Sequence, residues 1–111
     1  MENREFTEND WKLFRNRLPK WQEAYMDRLN KEYIELLSSD ANAADKFWKL
    51  EKRIRRDKER KGVVCEMRRS VMIYNIIGLL NEGAIKAEDL EEFSDELKER
   101  IYGLCGVTVQ P

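Results

Sequence analysis

Apolar residues recur along this chain at the three- and four-residue intervals of amphipathic α-helices, in five successive stretches. The first predicted helix begins after Thr7, which has the pattern of an N-cap, with Asp10 three residues later. Proline is unfavourable inside a helix but favoured at its first position. We therefore expect Pro19 to end the first helix and to begin the second.

The remaining helices are connected by turns of a few residues. They are predicted at residues 19–38, 43–61, 63–81 and 86–104. Asn42 is the predicted cap of the third helix. Short connections between amphipathic helices favour antiparallel neighbours. The sequence thus predicts an all-α, antiparallel bundle of about five helices, with a single domain at residues 1–104 and a C-terminal tail at 105–111.

The fourth predicted helix contains the most apolar segment of the chain. Residues 71–80 are apolar around most of the helix circumference, and only Asn75 interrupts them. Such a helix is buried on several sides, either at the centre of the domain or at an oligomer interface. The candidate interface residues are Val71, Met72, Ile73, Ile76 and Leu79.

Charge is abundant and unevenly distributed. Charged residues make up 39% of the chain, yet the net charge is only −1. Residues 49–69 contain ten basic and four acidic residues, a net charge of +6, whereas residues 82–99 contain two basic and eight acidic residues, a net charge of −6. Two neighbouring helical segments therefore carry opposite signs.

The basic residues of the third predicted helix follow one helix face. At about 100° per residue, they lie opposite the apolar Phe47, Leu50 and Ile54, with Trp48 beside them. The stripe consists of Lys49, Lys52, Arg53, Arg56 and Arg60, and Arg68 and Arg69 join it as further candidates. An acidic line on the last predicted helix consists of Glu88, Glu92, Asp95 and Glu99.

Three interpretations of the basic stripe stay open. It is a solvated helix face with weak ion pairs, or a surface for a protein partner or a second copy, or a phosphate-binding face for nucleic acid on which Trp48 stacks. The near-neutral net charge and the lack of a nucleic-acid-binding motif favour the first two.

Catalytic chemistry has little support in this sequence. There is no histidine, which removes the commonest general base and the commonest zinc ligand. The five glycines are scattered rather than gathered in a phosphate loop, and Cys65 and Cys105 lack the spacing of a metal or redox motif. We therefore expect no enzyme activity, no catalytic residue, no cofactor and no metal.

The apolar segments are too short for a membrane span. A spanning helix needs about twenty apolar residues, and the longest run here has ten. The polar amino terminus does not resemble a signal peptide. We therefore expect a cytoplasmic protein without a membrane partner.

Three segments, DWKLFR at residues 10–15, WQEAYM at 21–26 and MRRS at 67–70, resemble those of small, uncharacterised helical proteins of Firmicute bacteria. The resemblance extends over about residues 7–101. It implies a bacterial cytosolic setting and carries no activity or functional residue with it.

The sequence thus predicts a small, non-enzymatic interaction or regulatory protein, homodimeric through the fourth predicted helix. The alternative is a nucleic-acid-binding protein that uses the basic stripe.

Overall fold

The computed structural model describes residues 5–105, and all regular secondary structure in this part of the chain is helical, without a strand. The α-helices are α1 (Glu8–Leu37), α2 (Ala43–Asp57), α3 (Met72–Asn81) and α4 (Asp95–Cys105), and two short 3-10 helices lie at Arg69–Val71 and Ala87–Leu90. The predicted all-α class is confirmed. The described chain has four α-helices instead of about five, and the predicted tail beyond Cys105 lies outside the described residues.

The two helices predicted to meet at Pro19 form one continuous helix, α1, of 30 residues. The prediction of a break was wrong, although the predicted start is confirmed, since Thr7 and Asp10 form a capping box. Pro19 and Arg15 are both exposed, so water can satisfy the carbonyl group that lacks the proline N–H as a partner. Leu18 and Trp21 pack into the same core on either side, and this packing favours a continuous helix.

The first part of α1 packs with α3 and α4 into a compact head, formed by residues 5–18 and 63–105. Its buried apolar residues are Trp11, Phe14, Leu18, Met72, Ile73, Ile76, Leu79, Ile85, Leu90, Phe93, Leu97 and Ile101. A buried carboxylate ties two helix ends together, because Asp10 accepts hydrogen bonds from the backbone N–H of Thr7 (2.8 Å), the backbone N–H of Ser94 (2.8 Å) and the hydroxyl of Ser94 (2.5 Å). The start of α4 is thereby fixed against the start of α1.

The fourth predicted helix is shorter than expected. Residues 63–68 are not helical, and α3 begins only at Met72 after the 3-10 helix. Asn75, which is buried, donates a hydrogen bond from Nδ2 to the carbonyl oxygen of Glu66 (2.8 Å) and so holds this segment against α3. The β-branched Val63 and Val64 also disfavour a helix here.

The apolar run of α3 is explained by the core of this chain. Of the five candidate interface residues, Met72, Ile73, Ile76 and Leu79 are buried in the head, and Val71 is half-buried. These four side chains are at most 8% exposed and so offer almost no surface to a second copy. The run therefore no longer supports a dimer through this helix.

The fifth predicted helix is divided into the 3-10 helix Ala87–Leu90 and α4. The division lies at Phe93 and Ser94, because Phe93 is buried in the core and the hydroxyl of Ser94 accepts a hydrogen bond from the N–H of Leu97 (3.2 Å). The predicted acidic line consequently extends over two elements rather than one helix face.

The second half of α1 and the antiparallel α2 leave the head as a helical hairpin, here called the arm (residues 20–61). The molecule is elongated, with extents of 59 × 30 × 20 Å. Asn42 caps α2 as predicted, since its side chain accepts from the N–H of Asp45 (2.8 Å). The helix ends at Asp57 rather than at Lys61, and turns follow.

Close contacts at the base of the arm connect it to the head. The carboxylate of Glu82 accepts from the backbone N–H groups of Lys61 (2.8 Å) and Gly62 (3.0 Å), and the Gln22 side chain donates to the carbonyl oxygen of Lys61 (3.0 Å). Glycine is required at residue 62, because a Cβ there would lie 2.3 Å from the Tyr25 ring.

Candidate interaction surfaces of the arm

The side of α2 that faces α1 is largely polar. Lys46 donates a hydrogen bond to the carbonyl oxygen of Leu37 (2.9 Å), Leu50 and Arg53 are half-buried, and Asp57 is only 2% exposed. These α2 residues recur at the intervals of one helix face. The sequence had predicted a buried apolar face with the basic stripe opposite to it, so the observed helix is rotated from that expectation.

Asp57 is the centre of a buried polar network. The Tyr33 hydroxyl donates a hydrogen bond to Oδ2 of Asp57 (2.6 Å). Three arginines of the predicted stripe pair with the same carboxylate: Arg56 at 3.2 Å, Arg60 at 3.4 Å and Arg53 at 3.7 Å. One negative charge thus holds three positive charges at the interface of the two arm helices.

The network shifts the pKa values of both partners of its central hydrogen bond. Burial by itself raises the pKa of Asp57, but the hydrogen bonds from Tyr33 and Arg56 and the nearby arginine charges outweigh it, so the pKa is lowered. Burial, and next the hydrogen bond to Asp57, raise the pKa of Tyr33 to about 12. Asp57 is therefore ionised and Tyr33 neutral at neutral pH.

Two arginines of the stripe also have partners on α1. Arg53 pairs with Glu32 (2.6 Å) and lies over the Tyr33 ring, 5.5 Å from its centroid. Arg60 donates to the Tyr25 hydroxyl (3.1 Å). These two side chains are occupied in holding the hairpin together.

The other members of the stripe face solvent. Lys49 and Lys52 are exposed and form no ion pair within residues 5–105, and Arg56 is also exposed. We call this side of the arm the basic flank, which consists of Lys49, Lys52, Arg53, Arg56 and Arg60. Its cationic groups are therefore partly structural and partly available to a partner.

Two depressions follow the basic flank. The first, a cleft of about 220 Å³ at the base of the arm, is lined by Arg28, Arg53, Arg56, Arg60, Glu32, Asp57 and Glu82 among others. The second, a groove of about 500 Å³ closer to the tip, is lined by Leu36, Lys49, Lys52, Arg53 and Arg56. The groove has four basic residues and no acidic one, whereas the cleft has four arginines and three carboxylates.

Arg68 and Arg69, the other candidates, do not lie with the basic flank. Arg68 pairs with Glu66 (2.9 Å), and Arg69 pairs with Glu8 at the start of α1. Lys49 and Lys52 line the groove beside Leu36, so about 42 Å of helix separates the two groups along α1. Adjacency in sequence was misleading here, because residues 58–71 return the chain from the arm to the far side of the head.

The arm exposes large apolar side chains. Phe47 and Trp48 are 61% and 63% exposed, and their rings meet edge to face with centroids 5.0 Å apart. Ile34, Leu37 and Ile54 are also exposed, and α2 buries none of its apolar residues. The sequence placed Phe47 on the apolar face of this helix, opposite the basic stripe. Residue spacing gave no signal for this exposure, since the exposure depends on how α2 is rotated against α1.

An acidic surface lies on the head. We call Glu88, Glu91 and Glu92 the acidic patch; all three are exposed, and Glu92 pairs with Arg17 of α1. Burial chiefly raises the pKa of the nearby Tyr102, with further contributions from Cys105 and from the charges of Glu88 and Glu91. Glu88 and Glu91 form no ion pair in the described part of the chain.

Other chemistry has few candidates in this structure. Among residues 5–105 there is no group of three or more Cys, Asp or Glu side chains placed to hold a metal ion. Cys65 and Cys105 are half-buried free thiols, and burial raises the pKa of each. No helix within the described range has both the length and the apolar character to cross a membrane.

No family model, no curated protein and no solved structure matches this chain. The resemblance to Firmicute proteins therefore stays a prediction, and the function is inferred from the surfaces described above.

Proposed function

We propose that this chain is a non-enzymatic interaction protein that uses the arm as its docking element. The observation that carries this proposal is the exposure of Phe47 and Trp48 on a helix that buries no apolar side chain. Monomeric proteins rarely leave such large apolar groups together in water without a use for them. Aromatic side chains of this kind supply much of the binding energy in protein interfaces.

The surroundings of the aromatic pair indicate the chemistry of its partner. Lys49, Lys52 and Arg55 lie within one to two helical turns of Trp48, and the two lysines have no described ion pair. A partner surface that is complementary to this part of the arm therefore has an apolar contact for the aromatic pair and carboxylates around it. We propose a protein surface of that composition as the occupant.

Photo-crosslinking in cells tests this proposal. A benzophenone amino acid replaces Trp48 in the full chain, and the matched control carries it at Tyr74, an equally exposed aromatic position on the head. We expect a discrete protein adduct from residue 48, absent from residue 74 and reduced when Lys49 and Lys52 are changed to Ala. Equal capture at both positions, or none at residue 48, would overturn the proposal.

A second candidate function is nucleic-acid binding by the basic flank. It is favoured by Lys49 and Lys52, which are exposed beside Trp48 and have no ion pair among the described residues, since phosphates bind lysine and bases stack on aromatic rings. Fluorescence anisotropy of labelled single- and double-stranded nucleic acid, titrated with protein at several salt concentrations, decides it. A steep salt dependence that Lys49→Ala and Lys52→Ala weaken, but Lys12→Ala and Lys20→Ala do not, would favour this candidate.

A further inference from the structure

We propose that the partner of the basic flank is the acidic patch of a second copy of this chain. Two copies pair side by side in opposite directions, so that the arm of each lies against the head of the other. This inference rests on the proposed function in one respect, because it also takes the arm as the docking element. It replaces the predicted dimer through the fourth helix, because four of the five candidate interface residues are buried in the core.

The two surfaces carry opposite charge in excess. The cleft and the groove together are lined by six basic side chains and three carboxylates. Residues 88–99, which contain the acidic patch, have seven acidic residues and one basic residue. Lys49 and Lys52 on the arm and Glu88 and Glu91 on the head have no ion pair within residues 5–105, so they are available to each other across an interface.

Within one molecule these charges cannot neutralise each other. Arg17 marks the position of the acidic patch along α1 through its pair with Glu92, and Leu36 marks the position of the groove. The 19 residues between them correspond to about 28 Å of helix. Charges in water at physiological salt are screened beyond about 8 Å. Each surface is therefore left for another molecule.

The acidic patch and the cleft of the basic flank lie on the same side of α1. Arg17 contacts the acidic patch and Arg28 lines the cleft of the basic flank. These arginines are 11 residues apart on α1, which is about three full turns, so their side chains leave the helix in nearly the same direction. A second copy that approaches from that direction meets the acidic patch and the cleft together, and the groove lies about a quarter of a turn around α1 from them.

A two-fold axis satisfies both contacts together. The second copy is related to the first by a half-turn about an axis near the middle of α1. The acidic patch of the second copy then meets the basic flank of the first copy, and the basic flank of the second copy meets the acidic patch of the first. The contact closes on itself, so it yields a dimer rather than an open chain. The interface repeats one attraction twice, which favours this dimer over other arrangements.

Sedimentation of the full, nuclease-treated chain with charge-reversal variants tests the proposal. At low salt we expect a species of about twice the 13.3 kDa monomer mass, which dissociates as salt increases. The variant Lys49→Glu/Lys52→Glu and the variant Glu88→Lys/Glu91→Lys should each be monomeric. An equimolar mixture of the two should regain the dimer, because an acidic arm then meets a basic head and a basic arm meets an acidic head. Circular dichroism of each variant checks that the fold is retained.

Several results would overturn the inference: a monomer at low salt and high concentration, a dimer that survives both reversals, or a mixture that stays monomeric. If the protein is a dimer before nuclease treatment and a monomer after it, nucleic acid bridges the two copies instead. The photo-crosslink at residue 48 separates the two proposals. Capture of a different protein by a monomeric chain refutes only the dimer, whereas a charge-swappable dimer without any adduct at residue 48 refutes only the aromatic docking surface.

Discussion

Asp57 shows how a single carboxylate can fix the geometry of two helices. It is 2% exposed and accepts from Tyr33 at 2.6 Å, with three arginines around it. Removing one member of a buried charged network leaves the others uncompensated, which costs more than a surface pair contributes.

Replacing Asp57 by Asn should therefore lower the free energy of unfolding by about 2–4 kcal/mol. Urea denaturation followed by circular dichroism measures the change. The control is Asp27→Asn, since Asp27 is exposed and pairs with Lys31 on the surface; it should change stability by less than about 0.5 kcal/mol. Equal effects at the two positions would contradict the assigned role of Asp57.

The same network predicts a pH dependence at the alkaline end. The pKa of Tyr33 is raised from 10.0 to about 12 in the folded chain, so its contribution to stability is complete below pH 10 and is lost as the pH rises from about 10 to 12. The Asp57→Asn variant lacks the acceptor charge, and the pKa of Tyr33 should move back towards 10. Titration of tyrosinate absorbance, with Tyr33→Phe to identify the transition, checks this shift.

Two glycines give a matched pair of opposite predictions. A Cβ at Gly62 would lie 2.3 Å from the Tyr25 ring, whereas a Cβ at Gly103 in α4 would meet nothing within 4 Å. Gly62→Ala should lower the unfolding free energy by about 1–3 kcal/mol, and Gly103→Ala should raise it by up to about 1 kcal/mol. Equilibrium unfolding of the two variants compares them, and a neutral Gly62→Ala would mean that the base of the arm is looser than described.

At the scale of the elements, Pro19 is the residue that most changes the account of the fold. Because α1 continues through Pro19, Pro19→Ala restores an N–H to the helix ladder, and we expect stability to rise by on the order of 1 kcal/mol or more. Thermal and urea unfolding measure it. Lower stability in this variant would instead favour two helices with a break at the proline.

The sequence predicted the elements whose signals are local. The cap at Thr7 and the cap at Asn42 are confirmed, since each depends on residues three positions apart. The break at Pro19 and the continuous helix from residue 63 were wrong, because long-range packing of Trp21 and the hydrogen bond from Asn75 to Glu66 decide those segments. The helix propensity of individual residues carries no information about such long-range contacts.

At the scale of the whole molecule, the candidate site was only partly predictable. Spacing placed the basic residues of α2 on one side, but it could not show that Arg53 faces Glu32 while Phe47 faces solvent. Which α2 residues face α1 and which face solvent depends on the rotation of α2 about its own axis. The buried Asp57 fixes that rotation. The separation of Arg69 from the basic flank likewise follows from the path of the chain through the head.

The head and the arm bury apolar side chains to different extents. The head has a buried core of twelve apolar residues, whereas α2 has none of its own. Within the arm only Tyr25 and Leu29 are buried apolar side chains, polar contacts hold much of the rest, and Phe47 and Trp48 are left for a partner. This division of roles is the central claim.

The free energy of unfolding of the double variant Phe47→Ser/Trp48→Ser tests that claim most directly. It is measured by urea denaturation at low protein concentration and high salt, so that association does not contribute. If the aromatic pair serves a partner, the variant should lie within about 1 kcal/mol of the wild type, as surface substitutions do. A loss of about 3–5 kcal/mol, as expected for Phe14→Ala in the head core, would show that Phe47 and Trp48 belong to the fold and would contradict the account.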